Sequence, residues 1–165
     1  MKLKTVTAIL LTAATSFGAV ASQCDFTPEK DTFGFSFTAY GAKDKSYVVS
    51  NNTFKEFDLA SASGKLIGAT ININTSSLDT SHDLNNGMGS DWPVALVAVR
   101  NGNVINGLFN NFINPGKIEA KIATIDTNKI HVEVTMNGEA KVIPMDYSIV
   151  DGKLSAEGTL DIIDF

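Results

Sequence analysis

The sequence predicts an all-β protein built as one antiparallel barrel, and three observations carry that prediction. From about Thr32 onward apolar residues recur with period two, the spacing of strands that bury one face. Asn137-Gly138 and Asp151-Gly152 are dipeptides that two-residue hairpins favour, because both central residues must accept positive φ. Helical periodicity is confined to one middle stretch, which leaves too little helix to cover an open sheet, so the sheet is expected to curl on itself. At 165 residues the chain is the size of a single domain.

The N-terminus reads as a targeting signal. Lys2 and Lys4 precede an uncharged apolar and small-residue run, Thr7 to Val20, and Ala19-Val20-Ala21 has the small-x-small form that signal peptidase reads. Residues 1–21 are expected to be a cleaved signal peptide and residues 22–165 the mature domain, placed in the periplasm. A membrane anchor is the competing reading, but the run is short for a bilayer and contains Thr, Ser and Gly. No later run is long enough for stable membrane insertion of the mature chain.

Strands are expected near 32–39, 46–58 and 65–75. Phe33, Phe35 and Phe37 alternate with Gly34, Ser36 and Thr38; Ile67, Ala69, Ile71 and Ile73 alternate with Gly68, Thr70, Asn72 and Asn74. From Leu84 to Pro115 the period breaks. Asn85-Asn86-Gly87-Met88-Gly89 reads as a loop, and Asp91 is placed to cap a helix starting around Trp92-Pro93. Val94, Val97, Val104, Leu108 and Phe112 recur near helical spacing, weakened by Gly102 and Gly107, so short helical turns are expected at one end of the barrel.

Residues 117–163 read as a four-stranded meander with fixed register. The Asn-Gly turn sets Val132 against Ile143 and Ile130 against Met145. The Asp-Gly turn sets Ile143 against Leu160, Met145 against Gly158, Tyr147 against Ala156 and Ile149 against Leu154. A three-residue turn at Asp126-Thr127-Asn128 sets Ile122 against Val132 and Ala120 against Val134. All three registers put the apolar residues on one face, whereas a one-residue slip would send them to the other. Lys129, His131, Glu133 and Asp146 fall on the opposite face. About seven strands are visible in total.

Charge and composition exclude several functions. The chain carries a net charge of −5, and losing Lys2 and Lys4 makes the remainder more acidic still. Scattered lysines on an acidic chain suit neither nucleic acid nor an anionic membrane surface. No phosphate loop, serine elbow or cysteine-based motif is present, and His131 lies on the solvent face, so an enzyme is not expected. His82-Asp83 with Asp79 is too sparse for a firm metal site. Cys24, the single cysteine, follows Ala21-Ser22-Gln23, unlike a lipidation site, and an odd thiol in an exported chain calls for a partner.

Four stretches resemble the YceI-like family of lipocalin-like, polyisoprenoid-binding periplasmic proteins. Asp31-Thr32-Phe33-Gly34-Phe35-Ser36-Phe37 is similar to the family's opening strand. Thr53-Phe54-Lys55-Glu56-Phe57 resembles its Gly-x-Phe-x-x-Phe element, with Asn52 where Gly is usual. Ile73-Asn74-Thr75-Ser76-Ser77-Leu78-Asp79-Thr80 resembles its strand ending in Ser-Ile-Asp-Thr. Arg100-Asn101 followed by Leu108-Phe109 resembles Arg-Asp…Phe-Phe. The likeness runs from about Cys24 to Phe165. It implies an eight-stranded barrel that needs no cofactor and holds an isoprenoid chain, such as a quinone tail, or another long-chain amphiphile.

On that reading the inward set is the ligand wall: Phe33, Phe35, Phe37, Ile71, Ile73, Ile122, Val132, Met145, Tyr147 and Leu160, with Phe109 and Phe112 at the mouth. Hydrocarbon asks for apolar area, and each buried methylene contributes roughly 0.8 kcal/mol. The competing readings are an envelope domain in which these residues fill a solid core, and a quinone-linked redox accessory protein. The sequence departs from the family in a longer stretch between Thr80 and Arg100 and in ending at Asp164-Phe165. The expectation is therefore a fragment of a longer protein, lacking a final strand and a cysteine that bonds Cys24. Closure between protomers, as a homodimer, is the alternative.

Overall fold

The computed structural model describes residues 5–13, 26–29, 33–40, 46–61, 64–81 and 93–165. The strands are β1 (Thr5–Ala13), β2 (Phe26–Pro28), β3 (Gly34–Tyr40), β4 (Ser46–Phe54), β5 (Phe57–Ala60), β6 (Thr70–Asn74), β7 (Leu78–Asp79), β8 (Lys117–Ile125), β9 (Lys129–Met136), β10 (Glu139–Val150) and β11 (Lys153–Leu160). The all-β class stands, and every pairing is antiparallel.

The turn chemistry builds the second half. Asn137 and Asp151 take φ of 52° and 50°, and Gly138 and Gly152 follow at 85° and 77°, the double left-handed step of a two-residue hairpin. Val132 then faces Ile143, Ile130 faces Met145, Tyr147 faces Ala156 and Ile149 faces Leu154. The Asp126 carboxylate accepts from the N–H groups of Asn128 (2.9 Å) and Lys129 (2.8 Å), closing the third turn. Ile122 faces Val132 and Ala120 faces Val134, as the spacing predicts, with a bulge before Thr124. Ile130, Val132, Val134 and Met136 are buried while their neighbours turn outward.

In the first half the backbone bends. Between Phe35 and Phe37 the β3–β4 register shifts by one, a β-bulge. Asn52 bridges it, its Nδ2 donating to the carbonyls of Phe35 (3.0 Å) and Val49 (2.8 Å). β4 runs on into β5 through Lys55-Glu56, and β6 runs on into β7 through a 3-10 turn at Thr75–Ser77. β4 pairs β7 and β5 pairs β6, and between them Lys55 N–H donates to the Ser77 carbonyl and Asn74 N–H to that of Glu56. The ladder is thus continuous around the bend. Counting β2/β3, β4/β5 and β6/β7 as one bent strand each, the sheet closes as a ring of eight.

The eighth member is β1. It lies along β11, Thr5 opposite Leu160 through Thr12 opposite Lys153, and its other edge pairs first with β3 and then with β2. The sequence reading leaves this edge of β11 open and assigns residues 1–21 to a removable leader; in the structure nine of those residues lie in the gap.

Three other expectations change. Ile67 is exposed, because Gly68 at φ 87° turns the chain and Leu66 goes inward instead. Ile149 is exposed although it faces buried Leu154, since it lies two residues before Asp151, at the hairpin end of the strand. The strand near 65–75 is shorter, with β6 beginning at Thr70. Cys24, His82, the loop at 85–89, Asp91 and Trp92 lie outside the described residues.

Candidate functional site: an apolar cavity under a helical cap

The middle segment folds as the broken periodicity predicts. A 3-10 turn (Val94–Leu96) leads into helix α1 (Val97–Val104), which relaxes into a π-helical turn over Ile105–Phe109. Neither Gly102 nor Gly107 is demanded by crowding: a side chain at either would meet open space. The segment puts Val104, Leu108 and Phe109 over one end of the barrel.

Beneath it is a cavity of about 80 Å³ with an almost wholly apolar lining. Phe33, Phe35 and Phe37 line one side, and Ile71, Ile73, Val132, Met145 and Leu160 contribute from the remaining strands. Aromatic contacts tie wall to cap. Phe35 stacks on Phe54 at 5.1 Å between centroids, Phe54 meets Phe109 edge-on at 6.1 Å, and Phe109 meets Phe112 at 5.7 Å. A second apolar void, about 30 Å³, lies beyond Ile71, Ala120 and Val132, which line both.

Nine of the twelve residues expected in the wall come together around the larger cavity: Phe33, Phe35, Phe37, Ile71, Ile73, Phe109, Val132, Met145 and Leu160. The other three sit elsewhere. Ile122 lines the smaller void, because it lies one step further along β8 than Ala120, which lines both. Phe112 is buried behind Phe109. Tyr147 is half-buried, and its hydroxyl reaches the carbonyls of Asp126 (3.1 Å) and Thr127 (3.3 Å) rather than the cavity. Missed as wall residues were Phe54, Val104, Leu108, Ile118, Ala120, Val134, Met136 and Ile162. Val134 and Met136 continue the alternation of Ile130 and Val132 and were legible; Phe54 was not, because the bend at Lys55-Glu56 carries both Phe54 and Phe57 inward against period two.

The polar groups gather beside the cap, not in the cavity. Thr80 Oγ1, fully buried, accepts from Arg100 Nε (2.7 Å) and lies 2.6 Å from Asn101 Oδ1, to which it donates. Arg100 Nη2 donates to the Thr80 carbonyl, and the Thr80 N–H donates to Asn101 Oδ1 (3.2 Å). Asp79 pairs with Lys55 at 3.1 Å. Burial pushes the Asp79 carboxyl up, but hydrogen bonds from the Ser81 hydroxyl and N–H, together with Lys55, outweigh it and hold it below its ordinary value. Three of the four stretches that carried the family likeness thus contribute to these contacts, through Lys55, through Asp79 and Thr80, and through Arg100 and Asn101.

No family model matches this chain, and neither a curated protein nor a solved structure does.

The geometry thus stands alone. Among the described residues no three His, Cys, Asp or Glu side chains come together, and no helix is long and apolar enough to cross a membrane. His131 faces outward and meets Asp126 at 2.9 Å on the barrel's exterior. The residues that line the cavity are all uncharged and apolar, so what it offers is apolar contact and shape.

Proposed function

We propose that this protein is a periplasmic carrier that holds the hydrocarbon part of a long-chain amphiphile, such as a polyisoprenoid quinone tail, inside the barrel. One observation carries the reading: a void lined by aromatic and aliphatic side chains from seven different strands, closed at one end by a helical segment rather than by another sheet. Void of that lining favours hydrocarbon, at roughly 0.8 kcal/mol per buried methylene. The likeness to the YceI-like family agrees with it, as does a leader that would deliver the chain to the envelope.

At about 80 Å³ the cavity is well below the roughly 300–1,000 Å³ of pockets that engulf drug-sized ligands. A ligand must therefore widen it. Met136 and Met145 are suited to yield, because an unbranched thioether repacks at low cost. The same small volume favours a second reading, an envelope β-domain with a nearly solid core.

Solvent extraction and native mass spectrometry of the purified protein separate the two. The carrier retains an isoprenoid or acyl lipid in near-stoichiometric amount; a structural domain yields none. Val132→Trp sharpens the test, because Val132 lines both voids. The expected outcome is a folded, β-rich variant with depleted lipid, since overpacking costs about 1–3 kcal/mol. Unchanged lipid content in a folded variant removes Val132 from the binding wall.

A further inference from the structure

The segment that closes the barrel is also the segment that reads as a removable leader. Cleavage before Ser22 takes away all of β1 and leaves β11 facing β2 and β3 across a gap one strand wide. Spacing between paired strands is about 4.8 Å, so the two rims stand roughly twice that apart. The gap cannot heal by contraction into the same kind of ladder. β1 is antiparallel to both neighbours, so β11 and β3 run parallel to each other, unlike any pair in this sheet.

The chemistry of the rims decides what fits. β11 pairs with β1 along Lys153–Leu160, and the other rim pairs through Phe26–Pro28 and Gly34–Ser36. Both are rows of backbone N–H and C=O groups, which natural sheets pair or cover. A hydrocarbon satisfies none of them, whereas an extended peptide satisfies both rows at once. Its position also closes a wall, since Phe35 and Phe37 on one rim and Leu160 on the other all line the cavity.

We propose that the gap between β11 and β2/β3 is a strand-acceptor site. Thr5–Ala13 fills it in the precursor, and after processing its occupant is an extended, roughly nine-residue segment of a second polypeptide, antiparallel to both rims. Only the second half of this rests on the export reading above. The segment already seated in the gap specifies the length, direction and register such a partner must match.

The test uses the full chain. A site-specific protease sequence is inserted between Ala21 and Ser22, the protein is folded intact and then cut, and native mass spectrometry follows the pieces. The expected result is that residues 1–21 remain bound after cutting. A labelled peptide of the Thr5–Ala13 sequence, lysine-tagged for solubility, then exchanges into the gap with a rise in anisotropy. The same peptide with Ala8→Pro and Leu10→Pro binds at least about tenfold more weakly, because proline removes ladder donors. A remainder that loses the fragment, stays a folded monomer and ignores the peptide overturns the site. N-terminal sequencing and native mass of exported protein supply the other arm: a start at Ser22 with no residues 1–21 bound and a second polypeptide in the complex supports that occupant, and retention of Thr5–Ala13, attached or as a bound fragment, overturns that half. Lipid content measured on the same samples is an independent readout, so a barrel that takes the peptide but no lipid sinks the carrier reading and leaves the acceptor site standing.

Discussion

The two halves of the barrel are held by different kinds of information. In β8–β11 each strand pairs with its neighbour in sequence, and the turns between them set the register. In β1–β7 the decisive contacts are distant: Asn52 on Phe35, Lys55 on Asp79, Thr80 on Arg100 and Asn101, and β1 on β11. Local turn chemistry tolerates the loss of a single contact, because flanking pairs still fix the register. A distant polar contact has no such backing, so damage there should be larger and should loosen a whole element.

The strongest way to break this contrast is Thr80→Val. It removes the hydroxyl that Arg100 and Asn101 share and leaves a guanidinium that is only 5% exposed without one of its acceptors. Hydrogen bonds to charged groups contribute about 1.5–3 kcal/mol, and a loss of that size is expected in urea unfolding, with faster amide exchange through residues 97–109. A loss below about 0.5 kcal/mol would mean the cap is held by its apolar face alone.

Next in size is Gly152→Ala in the local half. At φ 77° a Cβ costs about 1–2 kcal/mol, yet the β10–β11 register should survive because Asp151 keeps its own left-handed conformation. Cross-strand NOEs between Tyr147 and Ala156 check the register, and their disappearance would show that the turn alone holds this pair.

Gly102→Ala should run the other way. The position is helical and a side chain there meets nothing, so a gain of about 0.5–1 kcal/mol is expected. If the same change lowers lipid uptake, the cap's looseness serves entry; if stability falls instead, the cap packs differently from this structure.

The smallest effect belongs to the Asp126 turn. The His131 ring and the N–H groups of Asn128 and Lys129 hold its carboxyl down at about 2, against an ordinary 3.8. A depressed carboxyl stabilises the fold fully above 3.8, and its contribution is lost as pH falls toward 2. The amide resonances of Asn128 and Lys129 should titrate near 2, and a midpoint near 3.8 would show that the turn is not formed.

How much of this was legible follows the same division. The meander could be read residue by residue, because Asn137-Gly138 and Asp151-Gly152 announce both position and conformation. The bent half could not. Nothing in Lys55-Glu56 signals that Phe54 and Phe57 both turn inward, and the alternation at Ile67 failed at a glycine whose positive φ only tertiary context reveals. Eight of the nine wall residues were found because alternation survives within each strand, Phe109 in the cap being the other, whereas Tyr147 was misplaced because a half-buried phenol follows its hydroxyl to the nearest carbonyls. The role of Thr5–Ala13 as a strand was invisible, since an apolar β-branched run serves a leader and a barrel equally well.

The pairing of β1 with β11 also sets the order of events in time. Of the ring's eight members these two are the furthest apart in sequence, so the ring cannot close before Lys153–Leu160 has been made. Until then each end of the sheet is an open edge, and closure must bring together residues separated by nearly the whole chain, the kind of contact that slows folding. A chain emerging in that order therefore keeps both rims of the sheet open at least until residues 153–160 have been added, and its first strand must wait for its last partner.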